Sequence, residues 1–147
     1  MKIFKLILLL LFCTNSQAQS NFVKITSYFG VIHPLVSVSN NETNVNFRDY
    51  YTVGFPFGVN FWKTSKTAFS IEIIPYIKTD KGISKMNNIL IHPGVVFDIG
   101  NGYRISTRAA FETAGRFGFT PIFTKTIYKA KSNSYYIALG ILTGSVK

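Results

Sequence analysis

Residues 52–62, TVGFPFGVNFW, alternate without a slip: Val53, Phe55, Phe57, Val59 and Phe61 fall on one face, Thr52, Gly54, Pro56, Gly58 and Asn60 on the other. A period of two predicts a strand whose faces meet different media. Turn residues punctuate the chain every ten to twenty positions, and no window beyond the N-terminal twenty residues has a helical period. Seven strands are predicted, at about 22–32, 52–63, 67–78, 88–99, 103–113, 116–129 and 135–143, with the apolar face mainly on odd-numbered residues in each.

Turn lengths set the registers. The loop Thr64-Ser65-Lys66 pairs Lys63 with Thr67, hence Phe61 with Phe69, Val59 with Ile71 and Gly58 with Glu72. The loop Gly100-Asn101-Gly102 pairs Ile99 with Tyr103, Asp98 with Arg104, Phe97 with Ile105 and Gly94 with Arg108. A slip of one residue would set Arg104 against Ile99. Those two loops and the turn from Ala130 to Ser134 are short, whereas 37–51 and 79–87 are long and polar; the remaining turn, near Thr113 to Gly115, is not long and departs from the alternation. Outer-membrane barrels show this asymmetry, with short periplasmic turns. Pro34, Pro56, Pro75, Pro93 and Pro121 fall in or beside strands, and each is expected to mark a bulge or a lost ladder bond.

The even face decides the surroundings. A soluble sheet would place Lys, Glu, Thr and Gln there; this chain places Gly54, Pro56, Gly58, Gly94, Ala110, Gly118, Ala138 and Gly140. Small residues suit a crowded barrel interior, where they make room for large ones across the ladder. The odd face, with Val53, Phe55, Phe57, Val59, Phe61, Ile71, Ile73, Ile91, Val95 and Phe97, is then the lipid-facing band. Aromatic residues make up 16% of the chain, and Trp62, Tyr76, Tyr103, Tyr128, Tyr135 and Tyr136, near strand ends, are expected at head-group depth.

The N-terminus, MKIFKLILLLLFCTNSQAQS, has Lys2 and Lys5, a short apolar run and small residues at Ser16 and Ala18, the pattern of a signal peptide over residues 1–18. Its apolar run is too short for a transmembrane helix. Cys13 would permit lipidation, but Phe12 before it is bulky. Residues 19–147 then form one domain with no cysteine and hence no disulfide. The formal net charge of the whole chain is +10 and favours acidic partners, lipid head groups or lipopolysaccharide. Nucleic acid is not expected, since the lysines are scattered through turns of an exported chain.

The NSQAQS ending of the signal peptide, the run YYTVGFPFGVNFW and the stretch HPGVVFDIGNGYRISTRAAFETAGRFGFTP resemble the small outer-membrane β-barrel proteins of Gram-negative bacteria, a family mostly without assigned activity. The resemblance spans about residues 22–142 and is one of pattern. It implies an all-β, antiparallel up-and-down barrel of about eight strands in the outer membrane. Seven are legible, and the chain ends on TGSVK rather than an aromatic residue. The eighth is expected either within 33–50, at Leu35–Ser39 or Asn44–Tyr50, or to be missing.

On the even face, Glu72, His92, Asp98, Arg104, Arg108 and Glu112 form the expected lumen charge network, with Lys78 and Arg116 beyond them. Enclosed charges must pair, so Asp98 is expected with Arg104, and Arg108 with Glu72 or Glu112. Glu72 and Glu112 could be imagined as an acid/base pair with His92 as proton carrier, but carboxylates beside arginines stay ionised. No Ser-His-Asp spacing or G-x-S-x-G names a nucleophile, and His33 with His92 is too few ligands for a metal. The Gly100 and Gly115 turns open no helix, so phosphate-loop readings fail. Asn41 begins an Asn-x-Thr sequence read as incidental. No catalytic, cofactor or metal residues are assigned. The expectation is a non-enzymatic outer-membrane barrel with a side-chain-filled interior and a structural or surface-interaction role. Its alternatives are a soluble lipocalin-like barrel holding an apolar ligand among the odd-numbered aromatics and, more remotely, a lipid-modifying membrane enzyme.

Overall fold

A computed structural model describes residues 24–39, 42–48 and 50–145. The expected signal peptide, Cys13 and Asn41 lie outside the described residues. The chain is all-β: β1 (Lys24–Phe29), β2 (Val36–Ser39), β3 (Glu42–Val45), β4 (Tyr51–Gly54), β5 (Phe57–Trp62), β6 (Thr67–Asp80), β7 (Ile83–Gly100), β8 (Tyr103–Glu112), β9 (Phe117–Lys129), β10 (Ser134–Gly140) and β11 (Thr143–Ser145). One antiparallel sheet runs β1-β5-β6-β7-β8-β9-β10, with β4 prolonging β5 along β6 and β11 prolonging β10 along β9. The seven predicted strands are this meander, but 79–87, expected as a long polar loop, is not one: β6 and β7 run on through it and join at the two-residue turn Lys81-Gly82, whose positive φ values of 47° and 78° suit a tight hairpin.

The sheet is an open half-barrel. Its first and last strands are six strand spacings apart along the ladder, which in a flat sheet would be about 29 Å. Instead the rings of Tyr28 on β1 and Tyr136 on β10 lie 6.3 Å apart, centroid to centroid. Curvature therefore brings the two edges within side-chain reach, but no hydrogen-bond ladder joins them. Residues 33–50 do not supply the eighth strand: β2 and β3 pair with each other as a separate hairpin at the long-loop end.

The predicted registers Phe61↔Phe69, Val59↔Ile71, Gly58↔Glu72, Phe97↔Ile105, Asp98↔Arg104 and Gly94↔Arg108 are all present. Ile99 is the exception, since Gly100 pairs with Tyr103 and leaves Ile99 in a bulge. The glycine turn takes this up, with Gly100 and Asn101 at φ 90° and 53° and Gly102 at φ 77°. Pro56 sits in the break between β4 and β5, Pro75 beside the register shift at Tyr76, and Pro93 where pairing of β7 with β8 lapses. Pro121 pairs with Thr107 in unbroken register, and its carbonyl accepts from Ile141 at the break between β10 and β11.

Even-numbered side chains point inward and are buried along the middle of β5 to β9, while odd-numbered ones cover the outside; past the register shifts beside Tyr76 and Tyr135 the parity breaks, and Met86 and Tyr128 are exposed. Phe57, Ile71, Ile91 and Phe97 are exposed on the outer face, and Phe55, Val59, Phe61, Ile73 and Val95 half-buried. Val53 departs from its expected exposure at 8%. It lies one register from the Ile32–Gly54 bridge and next to Tyr51, whose ring clusters with His33 and Phe47. Three aromatics also depart from head-group depth. Trp62 and Tyr76 turn into the barrel and Tyr136 into the seam, because even numbering, not nearness to a strand end, sets their direction.

Candidate functional site

Consecutive strands set polar residues side by side on the inner wall. Tyr28, Gly58, Glu72 and His92 make one row across β1, β5, β6 and β7. Asn60, Ser70, Gly94, Arg108 and Thr120 make the next, from β5 to β9. The glycines are what let the large side chains meet. A Cβ on Gly58 would collide with the hydroxyl of Tyr28, and one on Gly94 would sit 2.5 Å from Arg108 Cγ. Tyr28 thus passes over Gly58 and Arg108 over Gly94, toward one carboxylate.

Glu72 is that carboxylate, 4% exposed. It accepts from the Tyr28 hydroxyl at 2.8 Å and from Arg108 Nη1, and its Oε1 is 3.2 Å from His92 Nδ1. Arg108 Nη2 donates to Tyr28 Oη at 2.9 Å and to Ser70 Oγ at 3.4 Å. His92 Nε2 faces Thr120 Oγ1 at 3.0 Å. Side chains from β1, β6, β7, β8 and β9 are thereby tied together across the lumen. A carboxylate between a guanidinium, a phenol and an imidazole has its charge matched and its lone pairs used, which is what burial demands.

The six residues expected as one network fall into three groups. Glu72, His92 and Arg108 form the central cluster. Asp98 and Arg104 pair at 3.1 Å toward the short-turn end, where the Arg104 guanidinium lies 5.4 Å from the Trp62 ring centre. Glu112 lies at the opposite mouth, accepting from Asn88, and from Arg116 Nε at 2.8 Å. Arg108 therefore reaches Glu72 and not Glu112, and the imagined carboxylate pair is not assembled. The mouth near Glu112 opens into a cleft of about 230 Å³ lined by Tyr50, Tyr76, Lys78, Asn88 and Arg116 among others.

Sequence spacing missed Tyr28, Ser70 and Thr120, because a contact between Tyr28 and Arg108, eighty residues apart, depends on the curl of the sheet. Thr120, His92 and Glu72 stand in the order hydroxyl, imidazole, carboxylate that nucleophilic hydrolases use. Here the hydroxyl is buried and the carboxylate is shared with Arg108 and Tyr28, so the chain of contacts reads as packing. His33 is held elsewhere, its Nδ1 3.4 Å from the Tyr51 hydroxyl. Among the described residues, no three of His, Cys, Asp or Glu gather as a metal would require. No family model, curated protein or solved structure matches the chain.

Proposed function

We propose that the chain is a non-enzymatic outer-membrane β-barrel protein whose interior is plugged by its own side chains and which serves a structural or surface-interaction role. One observation carries this reading: the two faces are inverted relative to a soluble sheet. Phe57, Phe69, Phe97, Phe111, Phe117, Phe119 and Phe123 lie exposed outside, while Ser70, Glu72, His92, Arg108 and Thr120 are buried inside. So many exposed rings in one band mark a surface that meets lipid or another apolar phase. The Tyr28–Glu72–Arg108–His92 cluster spans the lumen, as expected of a narrow barrel filled by side chains.

A lipocalin-like carrier would need the odd-numbered aromatics around a cavity, and they line the convex side. The test is fractionation of cells expressing the full chain. Recovery in the outer-membrane fraction, released by detergent alone, is expected; recovery in an aqueous periplasmic extract refutes the membrane reading.

A further inference from the structure

Positive charge is distributed unequally between the two ends of the barrel. At the short-turn end stand Lys24, Lys63, Lys66, Lys125, Lys129 and Lys131, while the acid there, Asp98, is taken by Arg104. At the long-loop end cations and carboxylates mix: Arg48, Lys78, Lys81, Lys85 and Arg116 stand among Asp80 and Glu112. Among the described residues, most of the excess positive charge thus sits at one rim.

The direction of these lysines narrows what they meet. Lys63 and Lys125 continue the odd-numbered, outward face, directly beyond Phe61 and Phe123, whereas the register shift at Ile127 turns Tyr128 outward beside Tyr135 and sets Lys129 opposite Ser134 on the other face. Lys125 Nζ sits 3.6 Å from the centre of the Tyr103 ring and donates to the Asn101 carbonyl at 2.9 Å; the Tyr103 ring in turn stacks on Phe123 at 5.5 Å. Tyr128 and Tyr135 lie together at the same rim, 6.0 Å apart. Lysines above tyrosines at the border of an apolar band place ammonium groups at phosphate depth, their stems lying along the rings. A soluble acidic partner would need the charges on the end of the barrel, whereas these point sideways.

We infer that the short-turn rim, through Lys63 and Lys125, binds the phosphates of anionic glycerophospholipid in the leaflet at that end. This rests on the membrane reading above and adds the lipid class and the end. The full chain is refolded into vesicles of phosphatidylcholine with phosphatidylglycerol, and the lipid that remains with the protein after mild solubilisation is compared with the bulk ratio. Wild type is expected to enrich phosphatidylglycerol severalfold, from a gain of roughly fivefold per lysine near an anionic surface, and to lose the enrichment in high salt. The variant K63Q/K125Q should return to the bulk ratio, while K78Q/K81Q should keep the wild-type value; Trp62 fluorescence reports that each variant is folded. Equal loss in both variants, a bulk ratio in wild type, or stronger enrichment of added lipopolysaccharide than of phosphatidylglycerol overturns the inference. A wild type that does not enter vesicles overturns the membrane reading with it, whereas one that enters without lipid preference overturns this inference alone.

Discussion

Replacing Arg108 with Met removes the cation from the central cluster while keeping a long apolar stem over Gly94. Arg108 is 7% exposed and donates to Glu72, Tyr28 and Ser70. Its loss leaves the Glu72 carboxylate buried with the Tyr28 hydroxyl and His92 as its remaining partners. Stranding one member of a buried ion pair costs about 3–5 kcal/mol. Two considerations favour the lower end of that range: Glu72 keeps two hydrogen-bonding neighbours, and Arg108 Nε is buried without a partner among the described residues, so part of the wild-type desolvation cost is already unmatched.

The assay is reversible urea unfolding of the full chain in lipid vesicles, followed through Trp62, the single tryptophan. The slope should stay constant while the midpoint falls. Arg104→Met is the internal control, because its pair with Asp98 is about a third exposed and should be worth roughly 0–1 kcal/mol. Glu72→Gln combined with Arg108→Met should recover part of the loss, since no ion is then stranded, and the cycle should give a coupling of about 0.5–3 kcal/mol. If Arg108→Met costs no more than Arg104→Met, or the two single losses simply add, the enclosed cluster does not hold the barrel together.

Phe57→Lys, on the outer face, should cost about 2–4 kcal/mol if Phe57 lies near the bilayer midplane, and unfolding in vesicles rather than micelles is where the penalty should appear. Gly94→Ala should cost roughly 1–3 kcal/mol by overpacking, since the new Cβ would lie 2.8 Å from the Arg108 Cα; an unchanged unfolding midpoint would show that the wall yields. Thr120→Val should cost about 1–3 kcal/mol by leaving His92 Nε2 unpaired, and a wild type that hydrolyses acyl esters in a manner abolished by this change would turn the packing reading of the hydroxyl into a catalytic one. Lipids brominated along the acyl chain should quench Trp62 only weakly, because it faces inward at 6% exposure and donates from Nε1 to Thr26 Oγ1 at 3.0 Å; strong quenching would return it to the lipid interface.

What the sequence reveals and what it hides divides along a physical line. Alternation and turn length act over one hairpin, so Gly58 opposite Glu72 and Gly94 opposite Arg108 are legible from two loops of three residues. Sheet curvature is a property of the whole meander, so neither the reach of Tyr28 to Arg108 nor the meeting of Tyr28 with Tyr136 has a local signal. Trp62 is instructive because the parity that places Glu72 inside places it inside too; assigning it by closeness to a strand end set a weaker regularity above a stronger one. The bulge at Ile99 has a cue in the two glycines that follow it, Gly100 and Gly102, which permit the positive φ values that a three-residue turn needs when it absorbs an extra residue. The glycines on the inner wall carry the most information, since a strand gives up packing at Gly58 and Gly94, and what occupies the vacated space is the pair of side chains, Tyr28 and Arg108, that close on Glu72. Small residues on the even face of such a chain therefore point to where the enclosed cluster lies, and the large polar residues within one strand of them are its candidate members.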